Sequence, residues 1–226
     1  ENPTYLEYDQ DSKNLYAVYQ SGERGGVAIW RYDEENTTLR EAITQEGVQP
    51  CYVHYDALRD EIMDANYHTG QVNIYKNNEI LKTIQFEEGA HAHYAHTHPK
   101  TGDLYTVDLG NDVVKKFRNH AEVDAYHTKK GTGPRHLVFH PSAPYIYLFT
   151  EHSNDLIVLK DEDKLEAVQI INALPEGGEN SGAAIRISSD GRFIYVSNRG
   201  HDSLTVFEVN DDYTVTLIQN ISAYGK

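Results

Sequence analysis

The chain has 226 residues, enough to bury a sizeable core, and carries 35 acidic against 20 basic residues, a formal charge of −15. That charge excludes a nucleic-acid surface and an anionic membrane surface, both of which call for basic patches, and no run approaches the roughly 20 apolar residues of a membrane span. The single cysteine, Cys51, excludes a disulfide framework or a cysteine zinc cluster, and with no leader-like segment the expectation is a soluble, cytoplasmic protein.

In chain order, Glu1 stands where an initiator Met is expected, which reads as a piece of a longer chain. Pro3 is followed by the aromatic-rich strand Leu15-Tyr16-Ala17-Val18 and by Trp30. Pro50, Ile62-Met63-Asp64-Ala65 and Tyr75 then repeat the pattern. Ala92, Leu104-Tyr105-Thr106-Val107 and Phe117 repeat it again, followed by Pro134, Ile146-Tyr147-Leu148-Phe149 and Leu159, and by Gly182, Ile194-Tyr195-Val196-Ser197 and Phe207. The strand starts are 47, 42, 42 and 48 residues apart, and the downstream apolar residues 45, 42, 42 and 48.

The fourth copy shows the unit most plainly. Arg135 to Phe139, Tyr145 to Thr150, Leu156 to Lys160 and Leu165 to Ile171 read as strands, with turns at His140-Pro141, Ser153-Asn154-Asp155 and Asp161 to Lys164. Four short strands repeating with a period in the forties predict an all-β propeller of four-stranded blades, five in this chain. The blades fall at residues 2–46, 47–89, 90–130, 131–178 and 179–226 of one domain, with Pro175 to Ser181 as an interblade loop.

Residues shared by all copies build the blade, so residues peculiar to one copy are candidates for function. The position after the Pro register holds Thr4, Cys51, His93, Arg135 and Ala183; the position past the second strand holds Gln20, Tyr67, Leu109, Glu151 and Arg199. First and second strands are antiparallel neighbours, so the start of one lies beside the end of the other, at one mouth of a propeller channel. His93, Arg135, Glu151 and Arg199 should gather there, with His136, Asn198 and Asp108 on the same rim. Two guanidinium groups in one place suit an anionic substrate. The plainer alternatives are a structural Arg135–Glu151 ion pair, a loop role for Arg199 and a backbone-bonded His136. The run from His91 to His98 alternates faces on a strand, so its four histidines cannot converge on one metal ion. Gly131-Thr132-Gly133 reads as an interblade turn, and Cys51 as buried and inert.

The segments Gly133-Pro134-Arg135-His136-Leu137-Val138-Phe139-His140-Pro141 and Asp190 to Gly200 resemble the seven-bladed lactonase family. That family includes bacterial cycloisomerase-type 6-phosphogluconolactonases and fungal carboxy-cis,cis-muconate cyclases. His91-Ala92-His93 and Tyr105 to Gly110 are similar to it too. The resemblance implies two further blades beyond these five, with residues 2–6 similar to the family's first blade and residues 224–226 to the approach to its sixth. It implies a site of His93, Arg135, Glu151 and Arg199 acting on a small anionic sugar lactone; His91, His136, Asn198 and Asp108 are the expected substrate-binding residues, and no metal or organic cofactor is expected. The implied reaction is hydrolysis of 6-phosphogluconolactone, with a muconate-type cycloisomerase or a noncatalytic propeller binding a small anion or a protein as alternatives. Ala184 departs from members with an acidic residue there.

Overall fold

The computed structural model describes residues 3–174 and 180–223, so most of the predicted Pro175–Ser181 loop and the 224–226 segment lie outside the described residues. Among the described residues there are twenty strands and no helix. They are β1 (Leu6–Asp9), β2 (Asn14–Ser21), β3 (Arg24–Tyr32), β4 (Thr37–Glu46), β5 (Tyr52–Asp56), β6 (Glu61–Asn66), β7 (Gln71–Lys76), β8 (Glu79–Gln85), β9 (Ala92–Thr97) and β10 (Leu104–Asp108). There follow β11 (Val113–Arg118), β12 (Ala121–His127), β13 (Pro134–Phe139), β14 (Tyr145–Thr150), β15 (Asp155–Asp161), β16 (Leu165–Asn172), β17 (Ser181–Ile187), β18 (Phe193–Arg199), β19 (Ser203–Val209) and β20 (Val215–Ser222). Each run of four consecutive strands makes one sheet in sequence order, giving five antiparallel propeller blades.

Local chemistry sets the strand ends. Asn14, Glu61, Leu104 and Tyr145 begin second strands after polar turns, and the His-Pro elements close two of those turns directly. His140 Nδ1 accepts the amides of Ser142 and Ala143, at 3.2 and 3.1 Å. His98 Nδ1 does the same for Lys100 and Thr101, at 3.1 and 3.2 Å. Second strands such as β6 and β10 are buried along their whole length, because they are covered on both faces, while fourth strands such as β8 are mostly exposed.

The chain divides into two compact units, Glu1–Asn111 with Lys116–Ala121, and Asp112–Lys115 with Glu122–Lys226. In the first, β5 lies beside both β1 and β9, and Tyr16, Val18, Val27, Val53, Ile62 and Tyr75 form a core between the first two sheets. Tyr5, Tyr52 and Tyr94 stand at one register of three successive sheets, with ring centroids 4.3 and 4.7 Å apart. That ladder absorbs part of the chain's high tyrosine content. In the second unit β17 packs against β13 and β14, with Tyr147, Phe149, Val158, Ile185, Val196 and Phe207 among the buried side chains.

Asp64 in β6 is fully buried, and it accepts hydrogen bonds from the Tyr75 hydroxyl and from Asn73 Nδ2. Desolvation outweighs those bonds and pushes its carboxyl up from 3.8 to about 6. The folded state therefore holds this proton more tightly than the unfolded state. Stability from Asp64 is full below pH 4 and is lost as pH rises through 6, by about 3 kcal/mol at most. The stability difference between wild type and Asp64→Asn, measured by urea unfolding at pH 4 and pH 7, is expected to move in favour of Asn at the higher pH. A pH-independent difference would contradict this assignment.

Candidate active site

Three sheets share a defect in one place. In the fourth, Pro134 pairs with Thr150 and His136 with Phe149, so Arg135 is the extra residue of a β-bulge. In the third, Ala92 pairs with Asp108 and Tyr94 with Val107, so His93 is the extra residue. In the fifth, Ala183 and Ala184 stand against Ser197 alone, between the Gly182–Asn198 and Ile185–Val196 pairs. The first and second sheets pair without a shift along these strands. A bulge removes a residue from the ladder and re-aims its side chain, and here it does so at a position that holds a different residue in every copy.

In the second unit these bulges assemble one charged cluster. Glu151 follows β14, and its Oε2 accepts Nε of Arg135 at 2.9 Å and Nη2 of Arg199 at 2.9 Å. Arg135 Nη1 also donates to the Ala183 carbonyl at 2.9 Å and lies against the buried His136 ring. Arg199 Nη2 donates to Ser181 Oγ and to the Gly182 carbonyl, at 2.8 and 3.0 Å. The backbone is tied as firmly: Glu151 N–H donates to Gly133, and Glu151 C=O accepts from Gly182 at 2.8 Å. The side chains of Arg135, Glu151 and Arg199 are 16%, 21% and 51% exposed, so the cluster is an ion-pair network that solvent reaches. Two guanidinium groups against one carboxylate leave a net positive spot on an acidic protein.

The other candidates have varied settings. Asn198 is buried, donating to Ser203 Oγ and Thr205 Oγ1 at 3.1 and 3.0 Å, which braces β18 against β19. Within the first unit, the His91 ring stacks on Tyr67 at 4.1 Å and donates Nδ1–H to the Tyr67 carbonyl at 3.0 Å. The buried His93 meets the same tyrosine edge-on at 5.9 Å. Asp108 is buried as a loop clasp: its Oδ1 accepts the amides of His91, Gly110 and Asn111, at 2.8, 3.0 and 3.2 Å. His91 precedes β9 and His98 follows it, so the histidine run is split between loop, strand and turn. Cys51 is half-buried, with Sγ donating toward the Ala65 and Ala92 carbonyls.

Across residues 1–226 the sequence matches the family described as "Lactonase, 7-bladed beta-propeller". The chain belongs to that family. It is 31% identical over 250 residues to the Bacillus subtilis (strain 168) protein named 6-phosphogluconolactonase, covering 99% of this chain and 72% of that one. It is 37% identical over 233 residues to an uncharacterised protein of Lactococcus lactis subsp. cremoris (strain MG1363), covering 93% and 68% of the two chains. A crystal structure of a Lactobacillus plantarum protein superposes with a TM-score of 0.92 at 33% identity, over 98% of this chain and 71% of that one. Five blades out of seven agree with that share of length.

Near the clusters of this lactonase-family chain, one residue is visible in the sequence by position alone and another is not visible at all. Tyr67 occupies the register of Glu151 and Arg199, so its position was visible but its contact with both histidines was not. Asp112, at a positive φ of 56°, takes the Gly131 and Gly133 amides on its carboxylate at 2.6 and 2.9 Å. It thereby shapes the Gly131-Thr132-Gly133 turn whose carbonyls receive the amides of Glu151 and His152. Nothing in the spacing signals a carboxylate reaching a turn some twenty residues on.

Proposed function

We propose that this chain carries the catalytic groups of a sugar-lactone hydrolase, with 6-phosphogluconolactone as the substrate. The observation that supports it most is the single Glu151 oxygen held between Arg135 and Arg199 at a solvent-reached bulge. The name of the Bacillus subtilis relative supports the substrate.

Lactone opening needs a water activated for attack, a home for the negative charge that forms on the carbonyl oxygen, and a proton for the departing alkoxide. Glu151 takes the water's proton, a step typically contributing 10²–10⁴-fold. The water oxygen bonds to the carbonyl carbon, and the oxyanion that forms faces the Arg135 guanidinium, a planar donor already fixed by Glu151 and Ala183. The ring C–O bond then breaks, and the proton taken from water passes to the alkoxide, leaving an open hydroxy acid. Arg199, the most exposed of the three, holds the substrate's phosphate. Side chains and water suffice for this scheme.

The test is a stereospecific assay on the purified protein with 6-phosphogluconolactone, read above the spontaneous hydrolysis rate. Turnover of this lactone in preference to its unphosphorylated analogue is the expected result. Cyclisation of a carboxymuconate without lactone hydrolysis would replace the reading with the cycloisomerase, and anion binding with neither activity would replace it with a binding propeller.

A further inference from the structure

A second cluster of chemically versatile side chains lies within the first unit, built from residues that the proposed reaction does not use. Glu7 in β1, His54 in β5 and His96 in β9 occupy one register, opposite Tyr16, Met63 and Tyr105 of the neighbouring second strands. The equivalent residues of the fourth and fifth sheets are Val138 and Arg186, opposite Tyr147 and Tyr195. Metal-ligand residue types therefore fill this row in three consecutive sheets and nowhere else in it. One ligand-type atom from each of Glu7, His54 and His96 lies within 4.8 Å of the others. His54 Nδ1 is 3.0 Å from both Glu7 carboxylate oxygens, and the His54 and His96 rings stack at 3.5 Å.

We propose that Glu7, His54 and His96 form a binding site for a zinc-class divalent cation. Two imidazoles and a carboxylate are a donor set that zinc favours, with a fourth position left for water. Thr97 supplies the outer support that such sites need. Its carbonyl accepts from His96 Nδ1 at 2.8 Å, which makes Nε2 the lone-pair nitrogen of that ring. Its hydroxyl lies 2.9 Å from His54 Nε2. A hydroxyl donates or accepts by rotating, so it serves His54 with the proton on Nδ1 toward Glu7, and equally with the proton on Nε2 and the Nδ1 lone pair toward a metal. Donor atoms around a tetrahedral ion with bonds of about 2.0–2.2 Å sit roughly 3.4 Å apart. The three ligand-type atoms lie within 4.8 Å of one another, so reaching that spacing calls for an approach of about 1.4 Å at most, with the two rings unstacking.

The order Thr97, His54, Glu7 also matches a nucleophile, a base and an orienting carboxylate. Thr97 is only 5% exposed, which closes it to a substrate, whereas the Glu7 side chain is 29% exposed and gives an ion a way in. Metal binding is the chemistry that this access permits.

The experiment titrates Zn²⁺ into the full 226-residue chain by calorimetry, and Co²⁺ with detection of its visible absorption as a tetrahedral complex. One ion per chain is expected. Thr97→Val should weaken binding about 10–100-fold, and Glu7→Gln and His96→Gln at least as much. Circular dichroism checks that each variant keeps its β structure. A readout on the wild type alone guards against misfolded variants: of the 12 histidine ring spectra by NMR, Zn²⁺ should shift those of His54 and His96 first. Absence of binding, first shifts at other histidines, or affinity unchanged in Glu7→Gln and His96→Gln would overturn the site.

Discussion

Arg135→Ala is expected to lower kcat/KM for lactone hydrolysis by at least about 100-fold, the cost of one missing oxyanion donor and close to 3 kcal/mol of transition-state stabilisation. The guanidinium is anchored at two points before substrate arrives, on Glu151 Oε2 and on the Ala183 carbonyl. Little reorganisation is therefore needed when charge develops. Alanine removes the donor and also leaves Glu151 with Arg199 as its remaining guanidinium partner. Arg135→Lys should recover part of the rate, because an ammonium restores the charge but cannot bond Glu151, Ala183 and the substrate through one planar fork. A purely structural ion pair makes a different forecast: both variants lose stability, while the surviving folded protein turns over at the wild-type rate. Steady-state kinetics normalised to folded protein separate the two, and full activity in Arg135→Ala would remove the catalytic role.

The second large effect belongs to a residue with no side chain. A Cβ on Gly182 would fall well inside contact distance of the Thr150 carbonyl oxygen, and 2.8 and 3.0 Å from the Phe149 ring. Both neighbours belong to β14, the first through its backbone and the second through a ring in the buried core. Neither yields easily, so Gly182→Ala forces β17 away from β14. The Gly182 amide bond to the Glu151 carbonyl and the Arg199–Glu151 ion pair cross that junction. Overpacking of this kind costs about 1–3 kcal/mol, and here the displacement also separates Glu151 from Arg199. The expected result is a melting temperature lowered by several degrees together with loss of most of the activity. An unchanged melting temperature would show that the two strands can part at no cost.

The repeat was legible because its landmarks are structural: an aromatic second strand and a bulky third-strand residue recur wherever a blade needs them. His140-Pro141 and His98-Pro99 were legible as turns for the same reason, since each histidine closes its own loop. Arg135, Glu151 and Arg199 could be brought together by register alone, as first-strand starts and second-strand ends coincide in every blade. The bulges could not be read, because a bulge is a property of the pairing between two strands and leaves the sequence of each unremarkable. The row of Glu7, His54 and His96 was missed for another reason. The copies differ conspicuously at the strand ends, and this row lies three residues further along, where only His96 belongs to a conspicuous run.

The shared bulge has a consequence for how such a protein can change over time. A residue outside the ladder contributes no rung, so exchanging it leaves the pairing of its sheet intact. Histidine, arginine and alanine already occupy this place in three blades whose remaining pairing is alike. Chemical identity at the mouth of a blade is thus uncoupled from the blade's own cohesion, and a new substrate can be tried there without renegotiating the scaffold.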